Sequence, residues 1–329
     1  VVAFFGCIFA TILGVVVGVL RLSRNWLVSR LMTVYVETFR NVPLLLWILL
    51  SYVILSEVTP LPKDFKVTDE MIAAGEAPKA SMMLFDSIAV TNRGTNIPAP
   101  LFERGLGTLD LGFMSLNLTF WAIAALIAAS IWVNHRIVAS ARATQESTGV
   151  RPVTWWKSLL VLFAPVIALL VALGFHLEIP ALKGFNFQGG ILVAHSFTAL
   201  LIALTLYTAA FIAEIVRAGI MAISRGQSEA AFALGLRPNR TMSLIILPQA
   251  LRVIIPPLIS QYLNLTKNTS LGIAVSYLDL RGTLGGITLN QTGRELECML
   301  LMMLIYLTIS LTISTLMNMY NRSVQLKVR

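Results

Sequence analysis

Runs of about twenty apolar residues recur along the whole chain, and nothing constrains its fold more. Val1–Leu20, Leu44–Leu55, Leu116–Val133, Ser158–Phe175, Ile191–Ala213, a stretch from Leu251 into the 270s, and Glu297–Met319 are nearly free of charge. A segment of ~20 apolar residues crosses a bilayer as a helix, because a helix satisfies its own backbone groups where water is absent. Composition agrees: 57% of the 329 residues are apolar and 12% are charged, against about 25% charged in soluble domains. The chain is therefore expected to be all-α and polytopic, with about seven transmembrane helices. It begins inside an apolar run and without Met, so a segment upstream is expected to be missing and no signal sequence is judged.

Charge sets the expected orientation. Sixteen of the 25 Lys and Arg fall in segments 21–40, 134–157 and 217–252 and in the tail that holds Arg322, Lys327 and Arg329. These segments lie on one side if the spans alternate, and the positive-inside rule makes that side cytoplasmic. The net charge of +9 is thus read as a topology signal, with no nucleic-acid partner implied. Glu57–Asp110 differs from the other connections. It carries eight acids and five bases and no long apolar run, so a folded or partly ordered external segment is expected.

Catalytic and metal signatures are missing from the sequence. There is no phosphate-binding G-x-x-x-x-G-K-[ST] loop and no G-x-G-x-x-G after a strand. His135, His176 and His195 lack ligand spacing, and Cys7 and Cys298 sit far apart in apolar runs. Energy for any transport must come from an ion gradient or from another subunit. His195, near the outer end of a span, is expected to be a hydrogen-bonded interior residue. Gly14 and Gly18 have the small-xxx-small spacing that allows close helix approach, though glycine is also common in membrane helices at large.

One polar island interrupts the apolar runs: Gln227–Pro248, QSEAAFALGLRPNRTMSLIILP. Ala, Glu and Leu favour a short helix over Ser228–Leu234. Gly235 suits the left-handed residue after a helix, and Pro238 the first position of the next. Pro248 closes the island. A helix–turn–helix between spans suits a grip for another protein.

The island also carries a resemblance. Glu229-Ala230-Ala231, three residues, Gly235, nine residues, then Ile245-x-Leu247-Pro248 resembles the EAA motif of bacterial ABC importer permeases, with every fixed position met. Tyr207–Ile223, Arg225–Ala231, Leu247–Arg252, Lys267–Leu271 and Tyr35–Leu45 are similar to the polar amino-acid permeases. The insert with Asn92–Pro100 and the basic loop before Trp155-Trp156 resemble the general L-amino-acid permeases of Gram-negative bacteria. Asn268 departs from the pattern, since many relatives carry an acid there.

The resemblance implies the ABC importer type I permease fold in the bacterial inner membrane, and the count of positive charges puts the C-terminus in the cytoplasm. It implies two spans within 1–56 around a cytoplasmic loop at 21–43, a periplasmic insert at 57–115, and two spans with a basic loop in 116–190. A core at 191–320 would carry coupling helices within 217–250, followed by a tail at 321–329. Implied partners are an ATP-binding subunit, a second permease subunit (identical or related), a periplasmic amino-acid-binding protein, membrane lipid and the L-amino acid itself. ATP and Mg would belong to the ATPase subunit, and this chain would hold no cofactor and perform no chemistry. Ser228, Glu229, Ala230, Ala231, Gly235 and Pro248 would couple to the ATPase, with the two alanines small for close contact.

Polar groups inside spans usually face a bundle interior or a water-filled cavity. Thr205, Tyr207, Thr208 and Glu214 on the fifth span and Asn264, Lys267, Asn268, Thr269 and Ser270 on the sixth are the candidates for a substrate pathway. Lys267 or a broken helix end would meet a carboxylate, and Glu214 an ammonium. Each has an alternative: Glu214 can pair with Arg217 three residues on, Lys267 can snorkel, and hydroxyls can bond their own helix. Arg40 and Asn41 are candidates for an inner gate, a subunit contact or lipid-phosphate anchoring. A gradient-driven secondary transporter is the rival reading, since broken polar spans occur there too.

Overall fold

The computed structural model describes residues 1–66, 78–110, 115–150 and 152–324. Arg151, insert residues 67–77 and 111–114, and tail residues 325–329 with Lys327 and Arg329 lie outside the described residues. The protein is mostly helical. Among the described residues, six helices are long and apolar enough to cross a membrane, and a bent pair of helices would make a seventh span. The chain divides into two compact units.

The first unit comprises Val1–Leu61, Val90–Thr95 and the chain from Val193 onward. Its helices are α1 (Val2–Leu20), α2 (Trp26–Asn41) and α3 (Leu44–Val53) in the N-terminal part. The second unit contributes α4 and α5, given below. After them come α6 (His195–Met221), α7 (Arg225–Ala233), α8 (Pro238–Thr241), α9 (Leu247–Asn268) and α10 (Glu295–Val324). α6 is the hub. Its Ala199, Leu200, Ala203, Leu204, Ala209, Ala210, Ile212 and Ala213 are all buried, and α1, α2, α3 and α9 pack on it.

α1 lies parallel to α6, and its glycines are there for contact. A Cβ on Gly14 would sit 2.7 Å from Ile212 Cβ, and one on Gly18 2.7 Å from Ala213 O. Without a hydrophobic drive between helices in lipid, such close approach is the main source of packing energy.

Two sequence expectations change in this unit. Segment 21–43 is no loop, since it holds the 16-residue α2. The Asn25 side chain accepts from the Leu27 and Val28 amides, and neither Gly nor Pro intervenes before Pro43. Val42, extended before that proline, ends the helix, and the chain turns by 104° into α3. The sixth span contains Pro256 and Pro257, and α9 runs through both to Asn268. Membrane helices tolerate the missing amides where neighbours re-satisfy the freed carbonyls. The fifth span starts later than expected, at His195, because Ile191–Val193 is a strand, and it continues to Met221.

The second unit comprises Pro62–Ala89 and Asn96–Leu192. Here α4 (Leu118–Thr148) and α5 (Trp155–Ala172) stand side by side. The basic segment expected as a loop from Asn134 is mostly helix. α4 is capped by the Asn117 side chain on the Phe120 amide and stops only at Gly149, which is left-handed. Its 31 residues make a rod of about 46 Å at ~1.5 Å per residue, well beyond the ~30 Å hydrocarbon core. Short antiparallel strands fold the rest: Ala99–Phe102 pairs with Phe175–Glu178, and Ala181–Lys183 with Asn186–Gln188. No apolar run announces them, since each holds only three or four residues.

Candidate functional site

The polar island folds as two limbs around a glycine turn. α7 ends in a Schellman motif: the Gly235 amide donates to Phe232 O at 2.9 Å and the Leu236 amide to Ala231 O at 3.0 Å. Gly235 has φ +77°, with no atom within 4 Å of a Cβ built there. The turn therefore needs glycine for its backbone, with no steric demand from neighbours. Pro238 opens α8 at its first turn. A wide helical turn, Met242–Ile246, then leads into α9.

Pro248 does not end the island. It occupies the first turn of α9, where a missing amide costs nothing. The second limb is therefore the base of the sixth span. The Gln249 side-chain amide donates to Gln227 Oε1 at 3.3 Å and to Ile245 O at 3.0 Å, which ties the first limb to that base. The island is joined to α6 by Ala222–Ser224 and to α9 with no loop at all.

Exposure sorts the motif. Glu229 and Ala230 are exposed and Ser228 is half-buried. Ala231 is 1% exposed, so it is turned into the island and presents nothing outward. Its small size serves packing inside the island, where Thr241 is buried as well. Two exposed residues escaped the motif: Phe232, and Leu234 at 81% exposure. Exposed large apolar side chains on a polar island were the available signal.

In the last third of α6, Glu214 carries two ion pairs. Arg217 Nη2 reaches Glu214 Oε1 at 2.6 Å and its Nε reaches Oε2 at 3.4 Å. The other partner is Arg21 at the end of α1, whose Nη1 donates to Glu214 Oε2. The Arg21 side chain is 9% exposed. Sequence spacing offered Arg217; Arg21, 193 residues away, stood only as a topology charge.

The other candidates scatter. Thr208 is buried, and Thr205 Oγ1 is buried without a hydrogen-bond partner among the described residues, as is Trp47 Nε1 on α3. Tyr207 packs on Phe211, ring centroids 5.0 Å apart. Thr269 and Ser270 hydroxyls bond the carbonyls of Thr266 and Lys267. They lie in a 3-10 stretch, Thr269–Val275, into which α9 tightens after Asn268. The broken end here is a C-terminus. It offers carbonyls, which suit an ammonium rather than the carboxylate assigned from sequence. Asn264 and Lys267 are exposed, and Lys267 with Ser270, Tyr306 and Ser310 lines a cavity of about 350 Å³ between α9 and α10.

Arg40 has a neighbour of its own: its guanidinium sits over the Phe211 ring, 5.4 Å from the centroid. Asn41 bonds Glu37 O at 2.8 Å. His195 is buried with Nε2 2.7 Å from Thr91 O, an interior hydrogen-bonded residue.

Residues 149–326 match the family of binding-protein-dependent transport system inner membrane components. The chain belongs to that family. Its members are membrane-spanning components of transport systems that work with a separate binding protein. Among similar proteins, the glutamate/glutamine/aspartate/asparagine transport system permease protein BztB of Rhodobacter capsulatus is 72% identical, over 94% of this chain and 73% of that one. The general L-amino acid transport system permease protein AapQ of Rhizobium johnstonii is 40% identical, over 100% of this chain and 75% of its own. The crystal structure of an amino acid ABC transporter with histidines shares the fold, with a TM-score of 0.51 at 18% identity over 98% of this chain and 88% of that chain. An inner membrane component accounts for the apolar spans.

Proposed function

We propose that this protein is the permease subunit of an ATP-binding-cassette importer for L-amino acids of the bacterial inner membrane. The observation that carries the reading is the exposed helix–turn–helix built directly onto the base of α9, in a chain of the binding-protein-dependent family. A grip continuous with a span suits a subunit driven from outside. Family membership favours this reading over a gradient-driven transporter.

In this reading Ser228, Glu229, Ala230 and Gly235 meet the ATPase subunit, and Phe232 and Leu234 add the apolar anchor. Ala231 and Pro248 shape the island from within. ATP and Mg belong to the ATPase, and this subunit holds no cofactor. The island and the C-terminus face the cytoplasm, a second permease subunit completes the channel, and a periplasmic binding protein delivers the substrate. The likeness to BztB favours acidic amino acids and their amides as cargo. Lys267 supplies the carboxylate contact, with Thr205, Tyr207, Thr208, Asn264, Asn268, Thr269 and Ser270 along the passage.

The test is uptake of radiolabelled glutamate into vesicles holding the complete importer. ATP-dependent uptake that survives an uncoupler is expected. Uptake abolished by the uncoupler and indifferent to ATP would overturn the reading.

A further inference from the structure

The Arg21–Glu214 pair joins two helices that, among the described residues, are otherwise held only by packing. α1 ends at Leu20, and Arg21 follows it with its guanidinium almost wholly withdrawn from solvent. A charge so placed is stable only while its partner stays in reach. Gly18 and Ala213 bring the two backbones close enough for the pair to form. Glu214 is held from behind by Arg217, on its own helix. Its carboxylate is thus aimed across the interface.

The connections form a closed ring. The island leads into α6 through Ala222–Ser224, and α6 meets α1 at the ion pair. Towards its other end α1 meets α9: Thr11 Oγ1 lies 2.7 Å from Tyr262 OH, and Gly6 faces Leu265. α9 returns to the island at Leu247. Both limbs of the island therefore enter helices that α1 ties together at depth.

We propose that Glu214, acting through Arg21, is a positioning residue for energy coupling. The pair clamps α1 to α6, so displacement of the island moves α1, α6 and α9 as one body. Without the clamp, α1 slips along α6 and island motion is lost before it reaches the substrate passage. The proposal rests on the permease reading above and gives Glu214 a mechanical role in place of a substrate contact.

The test uses the complete importer in vesicles and reads glutamate taken up per ATP hydrolysed. Arg21→Ala, Glu214→Ala and the double variant are compared, with Arg24→Ala as control for loss of a nearby exposed cation. Each single variant is expected to lower the ratio about tenfold, the scale of ordinary coupling free energies, with the KM for glutamate unchanged. The double variant should be no worse than Glu214→Ala alone, because that change already removes the Arg21 pair, together with the one to Arg217. Arg21→Lys, which keeps the charge, should recover most of the ratio.

A ratio within about twofold of wild type in either single variant, or losses that multiply in the double, overturns the clamp. A changed KM in Glu214→Ala with Arg21→Ala normal assigns Glu214 to the substrate and overturns it too. If Glu214→Ala assembles poorly, the isosteric Glu214→Gln is read instead. Poor assembly of both, with a normal ratio in what does assemble, makes the pair purely structural and also counts against the clamp. Wild-type vesicles without ATP-driven uptake would strike the permease reading itself, which is a separate outcome.

Discussion

The hydroxyls of Thr11 and Tyr262, 251 residues apart, meet at 2.7 Å across the contact of α1 with α9. Thr11 also bonds Cys7 O at 2.6 Å, so it keeps a partner if the tyrosine hydroxyl is lost. Tyr262→Phe should therefore lower stability only slightly, by about 0.6 kcal/mol, the average for hydrogen bonds between membrane helices. Thermal unfolding of the purified protein in detergent reads this. A fall of several kcal/mol would show that the hydroxyl does more than join two helices.

Gly14 should tolerate no side chain. The contact with Ile212 leaves no room for a Cβ, and Gly14→Val must push α1 away from α6 at a cost of about 1–3 kcal/mol. Gly286→Ala, where a Cβ meets nothing within 4 Å, should change stability by no more than about 0.5 kcal/mol. Equal melting temperatures for the two variants would contradict the packing described.

Gly235 separates backbone from surface effects. Its positive φ makes Gly235→Ala strained by about 1–2 kcal/mol in the turn alone, with space to spare around the new methyl. Glutamate uptake by the importer should survive that change. Gly235→Trp puts a bulky ring at the proposed ATPase contact and should uncouple ATP hydrolysis from uptake while the chain still inserts. Normal uptake by the tryptophan variant removes the turn from the interface.

Leu234 projects from the end of α7 with most of its surface free. Leu234→Asp should leave the melting temperature of the isolated permease unchanged. It should weaken association with the ATPase subunit at least about tenfold, the effect of losing a modest interface anchor. Binding measured by surface capture of the ATPase decides this, and unaltered affinity places the contact elsewhere on the island.

The spans could be read from sequence because crossing a bilayer is a local demand: each run must satisfy its own backbone. Turn chemistry is equally local. Gly235 announced a left-handed residue and Pro238 a helix start, and both are found there. α2 was missed because its mixed polarity hid a helix that the Asn25 cap begins. The far half of α4 was missed because its basic residues were read as loop charge. Ala231 and Pro248 sit in the motif, yet only the folded island shows that the one faces inward and the other opens α9.

By itself the sequence determined where the long apolar helices lie, where the island turns, and which segments carry the positive charge. These depend on residues within one or two helical turns. Only the tertiary structure decided that Arg21 reaches Glu214, that Thr11 meets Tyr262, and that the island is the foot of α9. The two side-chain pairings join residues 193 and 251 positions apart, and the first exists because small residues let α1 and α6 close to contact distance. No pattern along the chain encodes that distance, since it is set by both helices together.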